Sequence, residues 1–139
     1  FMIEVIEHLP KEVEQRALTE ALRILKPGGK LILTTPNYRS LWPIIEFFWS
    51  RMNPVDYMEQ HINKHAPSSI AESIKAAGFN SAKTRTFFIL SPFTAIISRS
   101  LATRLLKIEK KLMARLGSLI VATAEKPAKQ DKPTRSKEV

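Results

Sequence analysis

The sequence predicts an α/β fold, because an amphipathic helix, a glycine turn and a buried strand follow one another directly. Pro10 suits the first position of a helix, where no backbone N–H is required, and apolar residues recur at helical spacing up to Leu25. Pro27-Gly28-Gly29 then ends the helix and turns the chain. The β-branched and aliphatic segment 30–35 is typical of a buried strand in a parallel sheet. This order of elements indicates an α/β unit.

The remaining segments continue the alternation of helices and strands. A helix capped by Ser68 or Ser69 is expected to run to Ala77, where Gly78 ends it. The other expected elements are a strand end at 1–6, helices over 40–52 and 93–116, a loop over 53–66, and strands over 83–90 and 118–124.

Two of the helices have unusual faces. The helix over 40–52 has little polar surface, so it either packs over the sheet or walls an apolar substrate pocket. The helix over 93–116 is amphipathic and basic, and it either packs on the sheet with a solvated basic face or lies on an anionic membrane surface. Its apolar face is expected to consist of Ile97, Leu101, Leu105, Ile108 and Leu112.

Composition and charge narrow the class of protein. The 139 residues suffice for one domain, and the absence of cysteine excludes disulfides and thiolate metal sites. The net charge of +9 is concentrated in 99–115 (+5) and in 126–139 (+3). These stretches lack aromatic stacking residues, so nucleic acid is not an expected partner. We expect a cytoplasmic domain over 1–125, a disordered basic tail over 126–139, and possible peripheral contact with a membrane.

Two separated motifs resemble one enzyme family. Glu4-Val5-Ile6-Glu7-His8-Leu9-Pro10, followed after one helix by Leu25-Lys26-Pro27-Gly28-Gly29, resembles the second half of class I S-adenosylmethionine-dependent methyltransferases. The strand ending in Thr35-Pro36-Asn37 and the helix ending in Ala77-Gly78-Phe79 fit the same pattern. The resemblance implies a Rossmann-like methyltransferase sheet, truncated to strands 4 to 7 with flanking helices, whose last two strands are antiparallel.

The sequence departs from the family where the cofactor is usually held. Members use a glycine-rich loop after the first strand and an acidic residue after the second, since glycine lets the backbone approach the ligand. This chain has four glycines, and none forms such a loop. The resemblance therefore implies S-adenosylmethionine as cofactor, but with the glycine-rich part missing and little activity for these residues alone.

The resemblance and the expected strand ends select candidate site residues. By resemblance, Glu4 and Val5 line the methionine side of the cofactor, although a solvated carboxylate in a loop is the plainer alternative. His8 is the candidate general base, because imidazole titrates near neutrality; simple packing in the loop is its alternative. The expected substrate contacts are Asn37, Tyr38, Trp42 and His61.

The sequence also contains features that bear on the type of acceptor and on a metal site. Trp42, Phe47, Phe48 and Trp49 suggest a small acceptor that is apolar or lipid-linked. Glu4, Glu7 and His8 resemble the metal-binding motif of quinone-biosynthesis O-methyltransferases, and His61 and His65 are four residues apart, but no complete ligand set is evident and no metal is assigned. The alternative to a methyltransferase is a non-enzymatic module that binds a membrane surface or a partner through 93–116.

Overall fold

The computed structural model describes residues 1–52, 60–91, 94–95 and 98–128. The side chains of Trp49, of Met52 and of residues 110–116 are outside this description. Predictions for Ile97, Leu112 and the tail from residue 129 onward therefore fall outside the described part of the chain, as does the first half of the predicted loop over 53–66.

Within the described part of the chain, the sheet has four strands in the order β1-β2-β4-β3. β1 (Met2–Ile3) pairs in parallel with β2 (Lys30–Pro36), with Met2 opposite Leu33. β4 (Leu119–Glu125) lies antiparallel to both β2 and β3 (Ser81–Phe87). The predicted antiparallel pairing of the last two strands is confirmed, although β3 starts and ends earlier than predicted.

The described residues form four α-helices around the sheet. A short 3-10 helix (Ile6–His8) precedes α1 (Lys11–Ile24), and α2 (Trp42–Met52) follows β2. α3 (Pro67–Ala76) precedes β3, and α4 (Arg99–Leu116) joins β3 to β4. This order agrees with the α/β alternation that the sequence predicts.

The start of α3 differs from the prediction that Ser68 or Ser69 precedes the helix. Pro67 occupies the first helical position, which its fixed backbone dihedral favours. Ser69 therefore lies inside the first turn. Its hydroxyl accepts the backbone N–H of Ala66 at 2.9 Å and donates to the Ala66 carbonyl at 3.0 Å, so it still satisfies an otherwise free backbone group.

The core lies between the sheet and helices α1 and α3. Fully burying one leucine or isoleucine side chain contributes about 1.5–3 kcal/mol, so a few such residues set the stability of the domain. The core residues with no exposed surface are Ile6, Leu18, Leu33, Ile70, Ile74, Ile120 and Ala122.

The orientation of α2 is the reverse of an ordinary amphipathic helix. Glu46 is only 3% exposed and faces the protein, whereas several large apolar side chains face outward. The inward carboxylate is tolerated because two neighbouring side chains hydrogen-bond to it. We call the outward surface the α2 apolar face, and its members are Leu41, Ile44, Phe47 and Phe48, which are 44–61% exposed.

The buried face of α4 also differs from the prediction. If the predicted apolar face of α4 packed on the sheet, Leu101 and Ile108 would be buried, but they are 50% and 58% exposed. Ala102 and Glu109 face the protein instead. The reason is that Glu109 accepts hydrogen bonds from the chain after β3, which turns this side of the helix inward.

Lys126 belongs to the fold, although the sequence analysis placed it in the tail. Its N–H donates to the Gly29 carbonyl at 2.8 Å, and its ammonium group donates to the carbonyls of Arg23 and Leu25. A cation at these carbonyls compensates the free acceptors at the end of α1. Among the described helices, none has both the length and the apolar composition needed to cross a membrane.

Candidate functional site

Polar side chains gather at the carboxyl ends of β1 and β2. This is the edge where open α/β sheets place their ligands. The segment 60–65 folds over this edge and is tied to both strand ends, because Asn63 N–H donates to the Glu7 carbonyl (3.0 Å) and Tyr38 N–H donates to the His65 carbonyl (2.9 Å). Residues that are distant in the sequence therefore share one site.

Glu7 lies at the floor of the site and has no exposed surface. Its Oε2 accepts a hydrogen bond from the hydroxyl of Thr35 at 3.0 Å. Its Oε1 is buried and accepts no hydrogen bond from any described residue. A buried carboxylate oxygen without a donor is unfavourable, so this atom is a candidate for contact with a ligand.

His8 lies beside Glu7 and is partly open to solvent. Its Nδ1 lies 2.9 Å from the carbonyl oxygen of Gln60, which can only accept, so Nδ1 carries the proton. Its Nε2 is then free, 3.7 Å from Oε1 of Glu7. The imidazole ring lies 5.0 Å from that of His61, centroid to centroid. A free lone pair on a half-exposed ring is what a general base requires.

His61 is held by a second buried carboxylate. Its Nδ1 hydrogen-bonds to Oε1 of Glu46, and the Tyr38 hydroxyl lies 2.8 Å from the same Glu46 oxygen. Burial, together with the hydrogen bond to Glu46, raises the pKa of Tyr38 far above its ordinary value, so the phenol stays protonated and donates. The Trp42 ring lies 6.5 Å from the His61 ring and forms an apolar wall of the site.

A second polar group lies under the site and has a structural role. Asn63 donates from Nδ2 to Oε2 of Glu14 (3.0 Å) and to the Leu9 carbonyl (2.7 Å). His65 is 6% exposed, with Nε2 at 3.6 Å from the same Glu14 oxygen. Burial lowers the pKa of His65 despite the nearby Glu14 charge, so this histidine is neutral at pH 7. We call these residues the Glu14 cluster.

The predicted cofactor residues Glu4 and Val5 follow β1 at the mouth of the site. Glu4 has a backbone φ of 51°, in the left-handed region that non-glycine residues rarely adopt. Its N–H and its Oε1 both bond to Thr34, and Oε1 accepts the Thr34 hydroxyl at 2.8 Å. Val5 is 42% exposed. Both residues therefore lie on an accessible rim beside the carboxylate and imidazole groups.

Asn37 is one of the residues that the sequence predicts to contact the substrate. It is fully buried, its Nδ2 donates to the Gly117 carbonyl at 2.8 Å, and its Oδ1 accepts the Arg39 N–H at 3.0 Å. Since both polar ends bond to the backbone, Asn37 joins β2 to the start of β4.

Three of the residues that build the site were not selected from the sequence. Thr35, Glu46 and Asn63 orient Glu7, His61 and the covering segment, respectively. A signal existed for Glu46, because it is the only charged residue in the apolar stretch 41–49. Thr35 and Asn63 are ordinary polar residues in their sequence context, and their partners are far away along the chain.

A comparison with protein families assigns the chain. The model of a family described as "Methyltransferase domain" matches residues 1–84, which is more than half of the chain. The chain belongs to this methyltransferase domain family. The match covers β1, the 3-10 helix, α1, β2, α2 and α3, and thus every residue of the site. No curated protein matches the chain.

Solved structures share the fold of this methyltransferase domain. A SAM-dependent methyltransferase from Archaeoglobus fulgidus superposes with a TM-score of 0.59 and 19% identity, over 90% of this chain and 57% of that chain. A SAM-dependent methyltransferase from Thermotoga maritima, described as a possible histamine N-methyltransferase, gives a TM-score of 0.59 and 19% identity, over 90% and 54%. The methyltransferase domain therefore spans little more than half the length of these two proteins.

A third structure extends the comparison to a complex. Phosphoethanolamine N-methyltransferase 2 of Haemonchus contortus, in complex with S-adenosyl-L-methionine, superposes with a TM-score of 0.51 and 19% identity, over 90% of this chain and 32% of that chain. At such identities the likeness establishes the fold. The predicted class I methyltransferase fold, an α/β sheet of Rossmann-like type, is confirmed for the methyltransferase domain.

Proposed function

We propose that the chain acts in S-adenosylmethionine-dependent methyl transfer to a small acceptor. The observation that carries the proposal is the position of His8: a half-exposed imidazole with a free Nε2, at the carboxyl edge of a methyltransferase sheet. Family membership supports the cofactor, and the hydrogen-bonded site beside His8 supports the chemistry.

The proposed roles follow from the positions of the side chains. Glu4 and Val5 contact the cofactor at the rim, while Tyr38, Trp42 and His61 line the acceptor side. The acceptor atom attacks the methyl carbon, the S–CH₃ bond breaks with its electron pair moving to sulfur, and the acceptor's proton passes to Nε2 of His8. Orientation of the two reactants can lower the barrier by ~7–11 kcal/mol, so the protein has mainly to align them.

The α2 apolar face supports an acceptor that is apolar or lipid-linked. Its four large side chains are exposed close to Trp42, which borders the site. Monomeric proteins rarely expose such apolar patches unless they bind something. An acceptor with a long apolar part would cover this face while its reactive hydroxyl or amine reaches His8.

We do not expect these 139 residues alone to bind the cofactor tightly. The four glycines of the sequence, at positions 28, 29, 78 and 117, form no glycine-rich loop that follows a strand and could cradle the cofactor. We expect no micromolar binding of S-adenosylhomocysteine to this chain by isothermal titration. Micromolar binding would contradict this part of the proposal and leave the role of His8 standing.

Replacing His8 by asparagine tests the proposed reaction. Asparagine keeps a donor for the Gln60 carbonyl but cannot accept a proton, so we expect kcat to fall about 10²–10⁴-fold. The assay follows label from methyl-labelled S-adenosylmethionine into long-chain alcohols, phenols and amines, using the protein at its natural length. His65→Asn is the matched control, because His65 lies in the Glu14 cluster away from the reacting atoms. Equal kcat for His8→Asn and the wild type would refute the role of His8, and transfer to none of the acceptor classes would refute the function.

A second function is favoured by the exposed face of α4. Leu101 and Ile108 protrude beside Arg104 and Lys107, and such a mixture of apolar and basic side chains fits an anionic membrane surface. We expect the protein to co-sediment with phosphatidylserine vesicles at low salt and not with phosphatidylcholine vesicles. Leu101→Glu should reduce sedimentation at least about tenfold, since it removes apolar contact and adds repulsion. Equal sedimentation with both vesicle types would exclude an electrostatic surface.

A further inference from the structure

Three potential metal ligands from two segments converge at the site. Glu7 and His8 come from the 3-10 helix after β1, and His61 comes from the segment that folds over it. One ligand atom from each of the three lies within 4.8 Å of the other two. This grouping is a property of the fold, because His61 is far from the other two in the sequence.

On each of the two imidazoles, Nδ1 lies next to a hydrogen-bond acceptor. The Gln60 carbonyl accepts from Nδ1 of His8, and the Glu46 carboxylate accepts from Nδ1 of His61. Each ring therefore keeps its Nε2 lone pair free. Metal-binding histidines almost always have such an acceptor on the second nitrogen, because it fixes the tautomer and makes the ligand more basic.

The carboxylate of Glu7 likewise has one atom held by a hydrogen bond and one atom that is free to bind a ligand. Thr35 donates to Oε2 of Glu7 and orients the group, while the buried Oε1 accepts no hydrogen bond from any described residue. Oε1 lies 3.7 Å from Nε2 of His8. Two ligands of a tetrahedral site with bonds near 2.1 Å are about 3.4 Å apart, so this pair is close to binding geometry.

We infer that Glu7, His8 and His61 form a binding site for a divalent transition-metal ion. Two imidazole nitrogens and one carboxylate oxygen suit zinc, cobalt, iron or manganese, whereas magnesium prefers oxygen ligands. Three protein ligands leave further positions open, as in catalytic rather than structural zinc sites. The buried Oε1 of Glu7 would then have the partner that it lacks.

This ligand set differs from the one that the sequence motif suggested. The motif groups Glu4, Glu7 and His8, but Oε1 of Glu4 is bonded to Thr34. The pairing of His61 with His65, four residues away, is also not what the fold produces. His65 lies with Glu14, and His61 faces His8 instead.

The inference rests on the proposed function only for what the ion would do, and in the metal-bound protein it replaces the proton-accepting role proposed for His8. When bound, a divalent ion supplies Lewis-acid polarisation of an acceptor hydroxyl or amine. His8 would then donate its lone pair to the ion rather than accept a proton. The existence of the site itself rests on the geometry alone.

The test is direct titration of the metal-free protein, at its natural length, with Co²⁺ and Zn²⁺. We expect one ion per chain, visible Co²⁺ absorption that Zn²⁺ abolishes, and no competition by Mg²⁺. His61→Ala should weaken binding by more than about 100-fold and Glu46→Gln by about 10–100-fold, since Glu46 orients a ligand. His65→Asn, which removes the third histidine of the chain, should bind as the wild type does.

A measurement on the unaltered protein guards against variants that fail to fold. In long-range ¹H–¹⁵N NMR spectra, Zn²⁺ should shift the Nε2 signals of His8 and His61, leave their Nδ1 protonated and spare His65. Absence of saturable binding, or wild-type affinity in His61→Ala, would overturn the inference. Neither readout requires methyl transfer, so a failure here leaves the role of His8 as base intact, and an inactive protein that binds Zn²⁺ leaves the metal site intact.

Discussion

Replacing Glu109 by alanine is expected to remove a large part of the stability of the domain. Glu109 is 3% exposed, and its two oxygens accept hydrogen bonds from the N–H groups of Ile89, Leu90 and Ser91 and from the Ser91 hydroxyl. Alanine would leave these donors without an acceptor. We expect a loss of about 3–5 kcal/mol, a large part of the 5–15 kcal/mol typical of a domain.

The same carboxylate should make the domain sensitive to acid. Burial alone would raise the pKa of Glu109, but the hydrogen bonds from Ser91 and from the three N–H groups outweigh it and hold the pKa below the ordinary 4.5. Because the folded protein binds the proton less readily than the unfolded chain, the contribution is present above pH 4.5 and is lost as the pH falls below it.

Urea unfolding followed by far-ultraviolet circular dichroism checks both statements. Glu109→Gln is the matched variant, because its remaining carbonyl oxygen still accepts while the titrating group is gone. It should be less stable than the wild type at pH 7, and its stability should fall less between pH 5 and pH 3.5. Stability of Glu109→Ala within about 1 kcal/mol of the wild type at pH 7 would show that the buried carboxylate is not an important acceptor.

Replacing Gly117 by alanine is expected to be as damaging, for a steric reason. A Cβ at this position would lie 2.5 Å from the backbone N and 2.6 Å from the carbonyl O of Phe87. Backbone atoms at the end of β3 cannot rotate away as a side chain can. Gly117 also accepts from Asn37 and donates to the Thr86 hydroxyl, so displacement would break bonds that fix β2 and β3. We expect a loss of about 3 kcal/mol or more.

Gly28→Ala separates steric overlap from backbone strain. Gly28 has φ = 74°, but a Cβ there would meet nothing within 4 Å. The strain of a left-handed alanine costs roughly 1–2 kcal/mol. In parallel urea titrations, Gly117→Ala should therefore be the less stable variant. The reverse order would mean that the chain at residue 117 relaxes without affecting the sheet.

The sequence predicted best those elements whose signals are local. Pro10 and Pro27-Gly28-Gly29 mark the ends of one helix by backbone chemistry, and α1 and β2 lie close to where these signals place them. The faces of α2 and α4 were not predictable in this way. Their orientation is decided by the inward carboxylates of Glu46 and Glu109, whose partners come from other parts of the chain.

In the candidate site, too, local sequence signals predict some features and only the tertiary structure determines the others. His8 was selected because it follows a strand end in a recognisable motif, and His61 because of the loop in which it lies. Their proximity, with ring centroids 5.0 Å apart, depends on the hydrogen bonds that seat residues 60–65 over the strand ends. No rule of sequence spacing predicts the contact between His8 and His61. Sequence patterns therefore identified individual side chains, whereas the ligand set required the tertiary structure.

The position of β4 has a consequence for biosynthesis. β4 is made after β2 and β3, and it lies between these two strands, which do not pair with each other. Since ribosomes add about 5–20 residues per second, the nascent chain spends seconds with β3 unpaired and with β2 bonded only to β1. Until residues 119–125 leave the exit tunnel, the polypeptide is a natural client for chaperones that shield unpaired strands.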